Sequence, residues 1–127
     1  MTGAPPGGNP RHALGARAEA RVAGWLAERG WTVLGHRVRL GGGELDIVAI
    51  DPGGTLVGIE VRARGSERTG SALESLDRAA IARRRRALAA YASAAPAHHD
   101  LRLDLVALSP ASHDRWRLTH LSGVEAR

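Results

Sequence analysis

Between Arg11 and Arg29 the apolar residues Leu14, Ala18, Val22, Trp25 and Leu26 recur at spacings of three and four, the period of a helix with one buried face. Gly30 follows as its stop. On a helical wheel the five span about 120°, and Glu19 falls at about 140°, at the edge of the apolar face. It is either a boundary residue in solvent or a carboxylate aimed along the packing seam. Trp31–Leu40 is rich in β-branched and apolar residues, with Arg37 and Arg39 alternating among them, and reads as a strand. Gly41-Gly42-Gly43 makes a turn or bulge. Two further alternating runs, Glu44–Ile50 and Leu56–Arg64, flank Asp51-Pro52-Gly53-Gly54-Thr55, a strong hairpin signal.

Gly65–Gly70 is polar and reads as a loop, and Ala72–Ala95 is helical by propensity, ending at Pro96. Arg84 falls on the stripe of Leu73, Leu88 and Tyr91, so either this helix starts late, capped by Ser75 or Asp77, or Arg84 snorkels outward. Leu101–Leu108 and Trp116–Leu121 read as strands around a Ser-Pro-Ala-Ser turn. The order α-β-β-β-α-β-β, with no internal repeat, predicts an α/β domain.

Side-chain alternation puts Glu44, Asp46, Val48 and Ile50 on one face of their strand and Gly58, Glu60 and Arg62 on one face of the next. If Ile50 pairs with Leu56, Val48 meets Gly58 and Asp46 meets Glu60. Two carboxylates directly opposite repel unless a cation lies between them. A hard divalent cation such as Mg²⁺ suits these oxygens, and Arg62 on the same face offers a second source of positive charge. The plainer alternative is a solvated hairpin face of alternating charges. Gly58 fits a bulge or a point of close approach.

Composition sharpens the choice of partner. The chain has 127 residues, enough for one core, and all 18 of its basic residues are arginine against 13 acids, a net charge of +5 and a pI near 11.3. Such a balance favours a polyanion, most commonly nucleic acid. The absence of cysteine excludes disulfides and thiolate chemistry, and with three Trp, one Tyr and no Phe a base-stacking platform is disfavoured. Residues 1–12 read as a disordered Gly/Pro-rich tail without a signal peptide's apolar segment, ahead of a single domain at 13–127. No apolar run reaches membrane length, and the expected location is the cytoplasm.

The segments Leu14–Ala20, Gly43–Ala49, Ile59–Arg64 and Leu101–Val106, with the Gly-Glu-x-Asp strand and the Glu-Val-basic-x-Arg strand at their centre, resemble the YraN family of small bacterial proteins. The resemblance covers about Leu14 to Val124. That family is similar to restriction-endonuclease-like nucleases and Holliday-junction resolvases, which implies a mixed sheet flanked by helices. It also implies metal-site carboxylates at Glu19, Asp46 and Glu60, with Mg²⁺ or Mn²⁺ as cofactor, and Arg62 in the catalytic Lys position. Three departures stand out: Ala18 for the usual Gly, His36 for Asn, and Arg62 for Lys.

Arginine stays protonated, so Arg62 cannot serve as a general base, but its fork can hold a phosphoryl oxygen. The expected function is a metal-dependent DNA endonuclease, with branched DNA as a substrate by analogy; the alternative is a nucleic-acid-binding protein of the same fold with impaired catalysis. Arg37, Arg39, Arg64 and Arg68, on or beside the carboxylate strands, are expected phosphate contacts. Action on two strands would favour a symmetric dimer. Arg83–Arg86 spread around their helix and read mainly as a solvated face, Arg102 and Asp104 as a structural ion pair, and His98-His99 as loop.

Overall fold

The computed structural model describes residues 10–63, 76–94, 100–112 and 115–124, with side chains from Gly15 onward. Helix α1 (Pro10–Glu28) leads into β1 (Thr32–Leu40), β2 (Gly43–Ile50) and β3 (Leu56–Ala63), then α2 (Arg78–Ala94), β4 (Leu101–Ser112) and β5 (Arg115–Ser122). The strands form one sheet in sequential order; β3 and β4 run parallel and all other neighbours are antiparallel. The expected α/β architecture and element order are therefore present, as in a restriction-endonuclease-like fold. No helix among the described residues is long and apolar enough to cross a membrane.

Each helix covers one face of the sheet. Ala18, Val22 and Leu26 of α1 are buried against Ile47, Ala49, Val57, Ile59, Val106 and Leu108, the stripe that its periodicity predicts. Gly30 ends α1 in the left-handed region at φ 86°. There the Gly30 N–H donates to Ala27 and the Trp31 N–H to Leu26, satisfying two last-turn carbonyls. On the opposite face Ala80, Ile81, Ala87 and Leu88 of α2 pack on Leu45, Val48, Leu56, Leu103 and Leu105. The Asp77 carboxylate caps α2 by accepting from the Ala80 N–H at 2.8 Å. Of the two capping candidates Asp77 is thus the cap; Ser75 and the expected helical residues 72–75 lie outside the described residues.

The β2–β3 hairpin has the expected register, with Ile50 opposite Leu56 and Val48 opposite Gly58. Gly58 is a point of close approach, since a Cβ there would come within 2.9 Å of Leu45 Cδ2 and 3.1 Å of Leu103 Cδ2. The alternation predicted for β2 does not run its whole length. Leu45 packs on the α2 side although Ile47 packs on the α1 side. The break coincides with Arg37 on β1, which has φ 49° and sits between the pairs His36–Ile47 and Val38–Leu45. Asp46 therefore does not share a face with Val48 as expected. β4 also outruns its expected end: Ser109–Ser112, expected as a turn, continue it past the last β3 pair, Ala63–Leu108, and pair with β5. Among the described residues this stretch pairs with β5 alone, a place in a sheet that tolerates Pro110.

One polar cluster ties these layers together. Asp104, 1% exposed on β4, accepts from Arg102 Nε (2.8 Å) and NH2 (3.0 Å) and from the Gly123 N–H (3.0 Å), and lies 2.8 Å from His120 Nε2. Arg102 NH1 also reaches Asp51 Oδ2 at 3.0 Å, while Asp51 Oδ1 accepts the Gly53 and Thr55 N–H groups of the hairpin turn. The expected Arg102–Asp104 pair is thus the centre of a larger network, and His120 is wedged against Trp25 and Trp31. Burial alone would raise the Asp104 carboxyl, but the His120, Arg102 and Gly123 hydrogen bonds outweigh it and hold the group below the usual carboxylate range. Asp104→Ala strips these half-buried donors of their shared acceptor and is expected to cost about 3 kcal/mol by urea denaturation at pH 7. Because the folded-state pKa is depressed, this contribution is present above the unfolded carboxylate value and fades as pH falls below it, so wild type and variant should converge in acid.

Candidate functional site

The positions where β1 bends and β2–β3 pairing ends gather the charged residues singled out in the sequence. The last described β2–β3 pair is Ile47–Ile59, so Asp46 and Glu60 lie one step beyond the ladder. Freed from face-to-face alternation, Asp46 turns its carboxylate along the sheet, where Oδ2 accepts the Val61 N–H at 2.8 Å. Glu60 stands beside it, 6% exposed. Burial first, and then repulsion from Glu60, push the Asp46 carboxyl up to about 7; the Val61 N–H pulls the other way, and Glu19 adds further repulsion.

Glu60 meets the same burial with different partners. Arg84 of α2 places Nε 2.7 Å from Oε2 and NH2 3.0 Å from Oε1. Arg62 NH2 lies 3.2 Å from Oε1. Glu19, on the edge of α1 predicted from the wheel, has a largely buried side chain and accepts from Arg37 Nε at 3.1 Å. The structure thus brings Asp46, Glu60 and Arg62 together and sets Glu19 close enough to act on Asp46, with Arg37 as its direct partner. Arg39 lies apart, strongly exposed and 3.5 Å from Glu44. Arg64 and Arg68 lie outside the described residues, as do His98 and His99.

Arg84 is the site residue that motif reading missed. Its signal was present as a misfit, an arginine on the apolar stripe of a helix, and the structure resolves it by turning the guanidinium inward onto a buried carboxylate. Its neighbours Arg83, Arg85 and Arg86 are exposed, as expected for a solvated face.

The donor set at Asp46 and Glu60 consists of hard carboxylate oxygens, the kind a divalent cation takes, and repulsion between the two groups is one of the causes that raise the Asp46 carboxyl. These two residues fit such an ion. Among the described residues no group of three or more His, Cys, Asp or Glu side chains is arranged to hold a metal. Any ion here would therefore take the rest of its shell from water or substrate oxygens.

Among the described residues, a five-stranded mixed sheet covered by one helix on each face, with acidic and arginine side chains gathered where its central strands part, defines an α/β protein of restriction-endonuclease-like architecture. Residues 18–108, which include Glu19, Asp46, Glu60, Arg62 and Arg84, match the model of the uncharacterised protein family UPF0102, the YraN family, and the chain belongs to it. A UPF0102 protein of Beutenbergia cavernae is 40% identical over 116 residues, 90% of this chain and 97% of the relative. One from Roseiflexus castenholzii is 43% identical over 105 residues, 78% of this chain and 81% of the relative. One from Deinococcus radiodurans is 46% identical over 77 residues, 61% of this chain and 63% of the relative.

The Asp46 displacement has a sign that can be checked. A folded-state carboxyl held near 7 binds a proton that the unfolded chain releases near its ordinary value, so without metal its ionisation erodes stability as pH rises from about 4 to 7. Asp46→Asn removes that penalty. It is expected to stabilise the metal-free protein by roughly 1–3 kcal/mol at pH 8, with the gain shrinking toward pH 5, as read by thermal melts in EDTA.

Proposed function

We propose that this protein is a divalent-metal-dependent phosphodiester hydrolase acting on DNA in the cytoplasm. The observation that carries the reading is the Asp46–Glu60 pair, two carboxyl groups held side by side largely out of solvent, where burial and then repulsion from Glu60 push the Asp46 carboxyl up to about 7. Family membership gives no activity of its own; the chemistry of these residues supports this one. Asp46 and Glu60 would hold Mg²⁺ or Mn²⁺, with Glu19, paired to Arg37, acting on the site through its charge. When bound, such an ion polarises a phosphoryl oxygen and lowers the pKa of a water molecule.

The chain's own residues do the rest. Asp46, half-buried beside Glu60, would hold such an ion only as the carboxylate, so its proton would have to leave to solvent first. Glu60, fixed by Arg84, cannot swing away from the site. Arg62, permanently protonated, stabilises charge on the phosphate and takes no proton. The exposed guanidinium of Arg39, with Arg37 beside Glu19, adds attraction for the backbone. Branched DNA, cut on two strands by a symmetric dimer, is the substrate suggested by the resolvase resemblance.

A second reading is favoured by one contact set: both Glu60 oxygens are already within reach of arginines. Guanidinium charge would then stand where a metal would, leaving a DNA-binding protein without cleavage. Labelled duplex, single-stranded and four-way DNA incubated with Mn²⁺ separate the two. Hydrolysis is expected from the wild-type protein and a loss of at least about 100-fold, or roughly 3 kcal/mol of barrier, in Asp46→Ala. Salt-sensitive binding with no cleavage of any of the three, or cleavage that Asp46→Ala leaves intact, would contradict the hydrolase reading.

A further inference from the structure

The two guanidinium groups at Glu60 are not equivalent. Arg84 arrives from α2 with its whole fork engaged: Nε and NH2 each meet one Glu60 oxygen, and NH1 donates to the Ala80 carbonyl at 3.1 Å. Arg62, two residues along β3, reaches only Oε1, at 3.2 Å, and its Nε is buried with no hydrogen-bond partner among the described residues. A carboxylate seats one planar fork on its two oxygens, and that seat belongs to Arg84. Arg84 is held there by a helix that is capped at Asp77 and buried through Ala80, Ile81 and Leu88.

The geometry points to a division of labour in which Arg84 is a positioning residue that orients and neutralises Glu60, and thereby keeps the Arg62 guanidinium available for a phosphate of the DNA backbone. The inference rests on the nucleic-acid reading above and adds that Arg62's grip on phosphate depends on Arg84. Without Arg84, Arg62 is the guanidinium beside a buried carboxylate that has lost its fork. Leaving that charge unpaired costs more than giving up a contact at a partly exposed surface, so Arg62 closes on Glu60.

The test is binding of the full-length protein to duplex DNA, followed by fluorescence anisotropy in EDTA across a salt series. The slope of log affinity against log salt counts neutralised phosphates. Arg62→Gln and Arg84→Gln are each expected to lower the slope by about one and the affinity about tenfold. The double variant should lose no more than either single one, because the second change acts through the first. Arg84→Lys keeps the charge without the fork; it should show a partial loss that disappears in the Arg62→Gln background, and it serves if the Gln variant fails to fold.

A double variant that loses two phosphates would make Arg84 itself a phosphate contact and overturn the proposal. An unchanged slope in Arg84→Gln, or in Arg84→Lys if the Gln variant does not fold, would reduce it to a structural residue and do the same. Wild-type protein that binds no DNA overturns this inference and the nucleic-acid reading together, whereas binding with additive losses overturns the division of labour alone.

Discussion

A carboxylate removed from water holds its charge only if positive charge or several N–H donors come to it, and the central strands of this sheet bury or half-bury three. The three are treated differently. Asp104 receives a guanidinium fork, a backbone N–H and a histidine, and its carboxyl falls below the ordinary range. Glu60 receives the fork of Arg84 and one nitrogen of Arg62. Asp46 has one backbone N–H against two neighbouring carboxylates, and its carboxyl rises to about 7. The fold satisfies the first two and leaves the third half-buried with one donor, at the place where α1, β2 and β3 direct their acids toward one another.

The layers explain why the shortfall falls there. Apolar stripes on α1 and α2 clamp the sheet from both faces, so the strand register is fixed by packing and cannot slide to separate the acids. The left-handed turn at Arg37 then breaks the alternation of the paired strand and turns Asp46 out of the face pattern and into the plane of the sheet. α2, which carries the chain across to β4 alongside β3, is also the element that delivers Arg84. One crossover thus closes the hydrophobic core and supplies a cation to the site.

Much of this was legible in the chain. Periodicity placed both described helices and the five described strands, Gly30 marked the end of α1, and the five-residue turn starting at Asp51 set the Ile50–Leu56 register. What remained hidden was of two kinds. A single residue adopting φ 49° leaves no trace in composition, so the side-chain directions around Asp46 came out wrong although the Ile50–Leu56 and Val48–Gly58 pairs were right. Partners far apart in sequence, such as Arg84 with Glu60 or His120 with Asp104, obey no local spacing rule. Arg84 at least announced itself, since an arginine on an apolar stripe requires a partner, whereas His120 on an ordinary strand did not.

Whether Asp46 and Glu60 together make a cation site is decided by calorimetric titration of the metal-free protein with Mn²⁺ at pH 7. Saturable binding of one ion, accompanied by proton release as Asp46 ionises and abolished in Glu60→Ala, is the predicted result. No saturable heat, or binding that survives Glu60→Ala unchanged, would contradict it.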